Sequence, residues 1–143
     1  MIKDESVSKI MTRDVVTINI TDPMKEVINV FEQIKIRHLP VMAEDTLVGI
    51  ISHSDIERLK FGSDLMDKQT KADESILDMI SVNQLMKHNP VTIGVNHSIL
   101  DVAKLFARCP FHALPVTENN QLVGIVTTTD LMKYIIALSE QEK

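Results

Sequence analysis

Apolar and polar positions along the chain fall into blocks whose period switches between that of a strand and that of a helix, and the same order of blocks occurs twice. The first series opens on a short β-branched run, Val15 to Ile20, that suits a strand. Thr21-Asp22-Pro23 then supplies a capping residue and a proline fitted to the first position of a helix, along which Val27, Val30, Phe31 and Ile34 recur on one face. That helix has to stop before Leu39-Pro40, because proline pushes the residue before it out of helical angles. Two apolar runs, Leu39 to Ala43 and Leu47 to Ser52, flank the polar turn Glu44-Asp45-Thr46 and predict a hairpin. Ser52-His53-Ser54-Asp55, all polar and mostly good capping types, leads into a closing helix. The unit therefore reads strand, helix, strand, strand, helix.

Sliding the sequence by 75 residues lays 6–60 over 81–135 without a gap and gives 16 identities in 55 positions. The identities cluster where the first unit has its elements, which marks a true internal repeat. Val16-Thr17-Ile18 falls on Val91-Thr92-Ile93, Leu39-Pro40-Val41 on Leu114-Pro115-Val116, Leu47-Val48-Gly49-Ile50 on Leu122-Val123-Gly124-Ile125, and Asp55 on Asp130. In the second copy the first strand is Val91 to Val95, and the helix face is Val102, Leu105, Phe106 and Cys109. The turn is Glu118-Asn119-Asn120-Gln121, and the entry to the closing helix is Thr127-Thr128-Thr129-Asp130.

The expected fold class is α/β (α+β): two tandem βαββα-type repeats packed as a pseudo-two-fold pair, since neither copy alone has the apolar surface to close a core. The first repeat is expected at 1–61 and the second at 81–143. A linker over 62–80 begins at Gly62, stays polar to Ile76-Leu77 and ends in a short helical turn through Met79-Ile80.

At 143 residues the chain has room for one regulatory or binding domain and none for a catalytic domain beside it. Four Phe, one Tyr and no Trp give no stacking platform for single-stranded nucleic acid. The net charge of -5, with Lys and Arg scattered from Lys3 to Lys143, gives no basic stripe either, so nucleic acid is not an expected partner. A small anionic ligand needs only two or three local cations. No apolar run approaches the ~20 residues of a membrane span and the start of the sequence lacks the apolar core of a signal peptide, so a cytoplasmic protein with no membrane contact is expected.

Catalytic and metal-binding signals are missing. Cys109 is the only cysteine, which excludes an internal disulfide, and its place on the helix face suggests a small buried hydrophobe. The five histidines form no H-E-x-x-H pair, and no glycine begins a phosphate cradle ending in Gly-Lys. Met11 and Met86, at matching positions, suit core filling or a subunit contact.

The pattern S/T-x-x-D recurs as Ser52/Asp55 and Thr127/Asp130. A carboxylate there can accept hydrogen bonds from both hydroxyls of a ribose, while the helix amino-terminus favours nearby anions. The same residues also suit plain helix capping, and the two roles are compatible.

Two ordered copies of L-P-V, L-V-G-I and S/T-x-x-D resemble a pair of CBS domains, the tandem module named after cystathionine β-synthase. The resemblance covers nearly the whole chain and implies a stand-alone regulatory module. Such a module binds an adenosine-containing ligand (AMP, ADP, ATP or S-adenosylmethionine) in clefts between the repeats and passes the binding state to a partner protein. It implies no turnover, no cofactor and no metal, and a homodimer joined through helices. By the same resemblance Ser52, Asp55, Thr127 and Asp130 face ribose. Val16, Thr17, Ile18, Val91, Thr92 and Ile93 line the adenine pockets, and Arg37, His38 and His112 meet phosphate. The chain departs from the family pattern where a glycine often precedes the I-x-x-L-P run; here Lys35 and Pro110 stand. The alternative is a structural interaction module whose clefts hold no nucleotide, one of them filled by Phe111.

Overall fold

The computed structural model describes residues 5–66 and 77–141. They form two compact units, Val16–Pro90 and Met1–Val15 with Val91–Lys143. Each repeat thus lends its amino-terminal segment to the unit that carries the body of the other repeat.

The unit of residues 16–90 contains β1 (Ile18–Asn19), α1 (Met24–Gln33), β2 (His38–Ala43), β3 (Thr46–Ser52), α2 (His53–Met66), α3 (Val82–Leu85) and β4 (Lys87–His88). Its sheet runs β1-β2-β3-β4. Strand β1 is parallel to β2, with Ile18 opposite Val41. The β2-β3 hairpin pairs His38 with Ser52 at one end and Ala43 with Thr46 at the other, and β4 adds antiparallel to β3. Leu39, Val41, Ile51 and Ile56 are fully enclosed against Val27 and Phe31 of α1 and Val82 of α3. The turn needs a left-handed residue at Glu44 (φ 55°).

The other unit repeats the plan with β5 (Ile93–Gly94), α4 (Ile99–Arg108), β6 (Ala113–Glu118), β7 (Gln121–Thr127) and α5 (Thr128–Gln141). Asn119 and Asn120 both take positive φ in its hairpin turn, a conformation asparagine tolerates better than most residues. Thr12 bridges Ile125 on the outer side of β7, the place β4 holds beside β3. A 3-10 turn at Val7–Lys9 precedes it, with Val7 buried. The Tyr134 hydroxyl donates to the Glu5 carboxylate, tying this segment to α5.

Four expectations shift. The opening strands shrink to two residues each. Pro40 and Pro115 carry no N–H, so no ladder extends back past Val41 and Val116, and the chain turns directly after β1, where the Asn19 N–H donates to the Asp22 carboxylate. That same bond removes Asp22 from capping, and Pro23 is the N-cap of α1, without a side-chain cap bond, instead of its first helical residue. Helix α2 runs on through Met66, past the expected start of the linker at Gly62. Within the linker, 67–76 lie outside the described residues, and 77–79 are helical. Ile34 and Cys109 stand one residue beyond their helices in extended backbone, Ile34 exposed and Cys109 half-buried, so neither is on the enclosed helical face.

Candidate functional site

In each unit the sheet geometry collects the expected site residues at one end. Strands β1 and β2 both start at that end, β3 finishes there, and α2 begins with the next residue. Val16 and Thr17 just before β1, Arg37 and His38 at the start of β2, and Ser52 and Asp55 at the entry to α2 therefore lie toward the same end of the sheet. The strand crossing is closed by backbone: the His53 N–H donates to the Arg37 carbonyl at 2.7 Å. In the second unit the Thr128 N–H donates to the His112 carbonyl at 3.0 Å, and Ala113 stands opposite Thr127. Val91, Thr92, His112, Thr127 and Asp130 assemble in the same way.

The side chains differ in what they offer. Ile18 and Ile93 are buried in the two cores, whereas Thr17, Val91, Thr92, Arg37 and His112 are exposed and His38 is half-buried. Phe111 is half-buried and meets Phe106 edge-on, 6.3 Å between ring centroids.

The S/T-x-x-D pairs form reciprocal caps. The Ser52 N–H donates to Asp55 Oδ2 (2.9 Å) and the Asp55 N–H to Ser52 Oγ (3.1 Å). The Thr127 N–H donates to Asp130 Oδ2 (2.9 Å) and the Asp130 N–H to Thr127 Oγ1 (3.2 Å). This is the capping box with aspartate in the role usually taken by glutamate, and it satisfies two backbone donors at each helix start. It also fixes the carboxylate. With Oδ2 held by the cap, Oδ1 is the oxygen each aspartate can present to something else.

Here the copies part. Arg58, three residues after Asp55 on α2, donates its guanidinium to Asp55 Oδ1, and the Asp55 side chain is only 4% exposed. Lys133 holds the matching position on α5, and among the described residues nothing bonds Asp130 Oδ1. Arg58 was not expected at the site; its i,i+3 spacing from Asp55 was the available signal. His53 packs edge-on against Phe31, 6.1 Å between ring centroids, with Nε2 3.5 Å from Glu57. No cluster of three or more His, Cys, Asp or Glu able to hold a metal occurs among the described residues, and no helix among them is long and apolar enough to cross a membrane.

These matching caps on two βαββα units define a tandem-repeat α/β architecture. The CBS domain family model matches residues 7–61 and 82–137, and the chain belongs to that family. A CBS domain-containing protein of Dictyostelium discoideum is 30% identical over 136 residues, covering 94% of this chain and 93% of that protein. Protein MJ1225 of Methanocaldococcus jannaschii is 28% identical over 134 residues. Its crystal structure superposes with a TM-score of 0.77 over 93% of this chain. The chain spans only about half (48%) of that relative's length. CBSX2, a CBS-pair protein of Arabidopsis thaliana, was solved in complex with AMP; it has the same fold, with a TM-score of 0.75, 22% identity and coverage of 94% of this chain and 98% of that one.

Proposed function

We propose that this protein is a nucleotide-sensing regulatory module that binds an adenosine-containing ligand at the capped sheet end of each unit, performs no chemistry on it, and relays occupancy to a partner protein. The observation that carries the reading is the paired cap. Two aspartates at matching positions are each fixed through Oδ2, which leaves Oδ1 as the carboxylate oxygen for another partner, Arg58 in the first copy. A ribose is a suitable occupant because its vicinal hydroxyls donate to a carboxylate in charge-assisted bonds. Exposed Arg37 in the first copy and His112 in the second stand at the same ends, as a phosphate requires. The backbone of Val16-Thr17-Ile18 and Val91-Thr92-Ile93 is the edge proposed to face adenine. The AMP held by a CBS-pair protein of the same fold favours the same ligand class.

A cytoplasmic setting and self-association belong to this reading. On α5, Met132, Ile135 and Ile136 are 59%, 44% and 56% exposed at helical spacing, a face suited to a second copy in a homodimer.

Calorimetric titration of nucleotide-free protein with AMP, ADP, ATP and S-adenosylmethionine tests the function. Saturable binding supports it and the order of affinities names the signal. Absence of binding to all four turns the reading toward a structural interaction module.

A further inference from the structure

We propose that Arg58 is a built-in competitor for the first of the two nucleotide sites: its guanidinium occupies the carboxylate oxygen of Asp55 that a ribose would need, so ligand must displace it. The inference rests on the nucleotide reading above and adds an inequality between the sites that the repeat itself does not contain.

The two caps provide an internal comparison. Both aspartates spend Oδ2 on the backbone N–H of the residue three before them, at 2.9 Å in each case. Both stand at the start of a fourteen-residue helix. The difference lies one turn along, where Arg58 faces Asp55 and Lys133 stands at the corresponding place below Asp130. Arginine delivers a planar fork of donors that matches a carboxylate, whereas a lysine ammonium is a compact, strongly hydrated charge with less reason to leave water. Accordingly Arg58 reaches Oδ1 and Lys133 does not reach its aspartate. Asp55 is enclosed to 4% exposure, while Asp130 stays half-buried.

Arg58 can act as a latch because only one end of the pair is fixed. Its side chain is 71% exposed, and among the described residues Asp55 is its one partner. Swinging the guanidinium into water breaks no other hydrogen bond or ion pair among the described residues. The carboxylate stays in place through the Ser52 N–H, so release opens an already oriented acceptor. A site whose competent form is only fractionally populated binds with its affinity divided by that fraction, so a latch closed about nine-tenths of the time weakens binding about tenfold.

Amide nuclear magnetic resonance titration with AMP reads the sites separately, through Thr17 and Ser52 for the first and Thr92 and Thr127 for the second. Arg58→Ala is expected to tighten AMP binding at the first set about tenfold and leave the second set unchanged. Lys133→Arg, a surface change that carries little folding risk, is expected to install the latch and weaken the second set several-fold. Unchanged or weaker binding at the first set in Arg58→Ala, with Lys133→Arg also without effect, overturns the latch and leaves the nucleotide reading standing. If neither set responds to AMP in the wild type or in either variant, the nucleotide reading fails and the latch falls with it.

Discussion

The side chain of Met11 lies across Gly124, its Sδ only 2.6 Å from where a Cβ on that residue would sit, with the Thr12 carbonyl oxygen at 3.0 Å. Met86 covers Gly49 in the same manner, with the Lys87 carbonyl at 3.0 Å. Each methionine belongs to the segment that one repeat contributes to the unit of the other. The glycine of L-V-G-I is thus the seat on which that segment rests. Gly124→Ala is expected to destabilise the protein by about 1–3 kcal/mol through overpacking. Met11→Ala should remove the clash in part, so the double variant is expected to lose less than the two single losses combined, a coupling that denaturant melts of all four proteins measure directly.

The caps give a second expectation, on stability alone. Thr127→Ala removes the acceptor for the Asp130 N–H and should cost about 1 kcal/mol, whereas Thr127→Ser keeps the oxygen and should stay near wild type. Urea denaturation of the two variants decides it. Equal stability of all three proteins removes any structural weight from the cap.

Much of this is legible in the sequence. The repeat, the hairpins and the alternation of strand and helix follow from apolar spacing and turn residues, and the structure keeps them. The exchange of amino-terminal segments was not legible, because it depends on contacts between residues far apart in sequence, such as Met11 on Gly124, that periodicity does not encode. The strand runs Val15–Ile20 and Val91–Val95 were over-read for a related reason. β-branched composition announces a strand, but its length is set by a partner strand that offers no N–H at Pro40 or Pro115. At the helix starts, S/T-x-x-D marks a reciprocal cap in both copies, while the difference between them lies in Arg58 and Lys133, which look interchangeable in a charge count.

Tyr134 is the only tyrosine in the chain, so its ionisation can be followed without interference. Its hydroxyl donates to the Glu5 carboxylate, and that bond raises its pKa from 10.0 to about 12. The same bond holds Glu5 below its usual value of 4.5. For the tyrosine the folded pKa is the higher one, so its contribution is fully present below pH 10 and disappears as pH rises through about 12. For the glutamate the folded pKa is the lower one, so its contribution is present above 4.5 and disappears as pH falls below it. Ultraviolet titration should place tyrosinate formation near 12, and Glu5→Gln should bring it down toward 10. A wild-type midpoint already near 10 means that the bond does not persist in solution.

Asparagine at Asp130 separates the two roles of that residue. Its amide oxygen can still accept from the Thr127 N–H, so the cap survives, but the charge that strengthens bonds from ribose hydroxyls is gone. Asp130→Asn is therefore expected to melt close to wild type while losing about tenfold or more in AMP affinity at the second unit, since charge-assisted bonds are roughly twice as strong as neutral ones. Asp55→Asn should reduce AMP affinity at the first unit and, in addition, lower stability, because it leaves the Arg58 guanidinium without its carboxylate partner. Calorimetry with AMP and thermal melts on both single variants and the double variant resolve these effects. If the double variant binds AMP with wild-type affinity, the aspartates serve only the helices and ribose is held elsewhere.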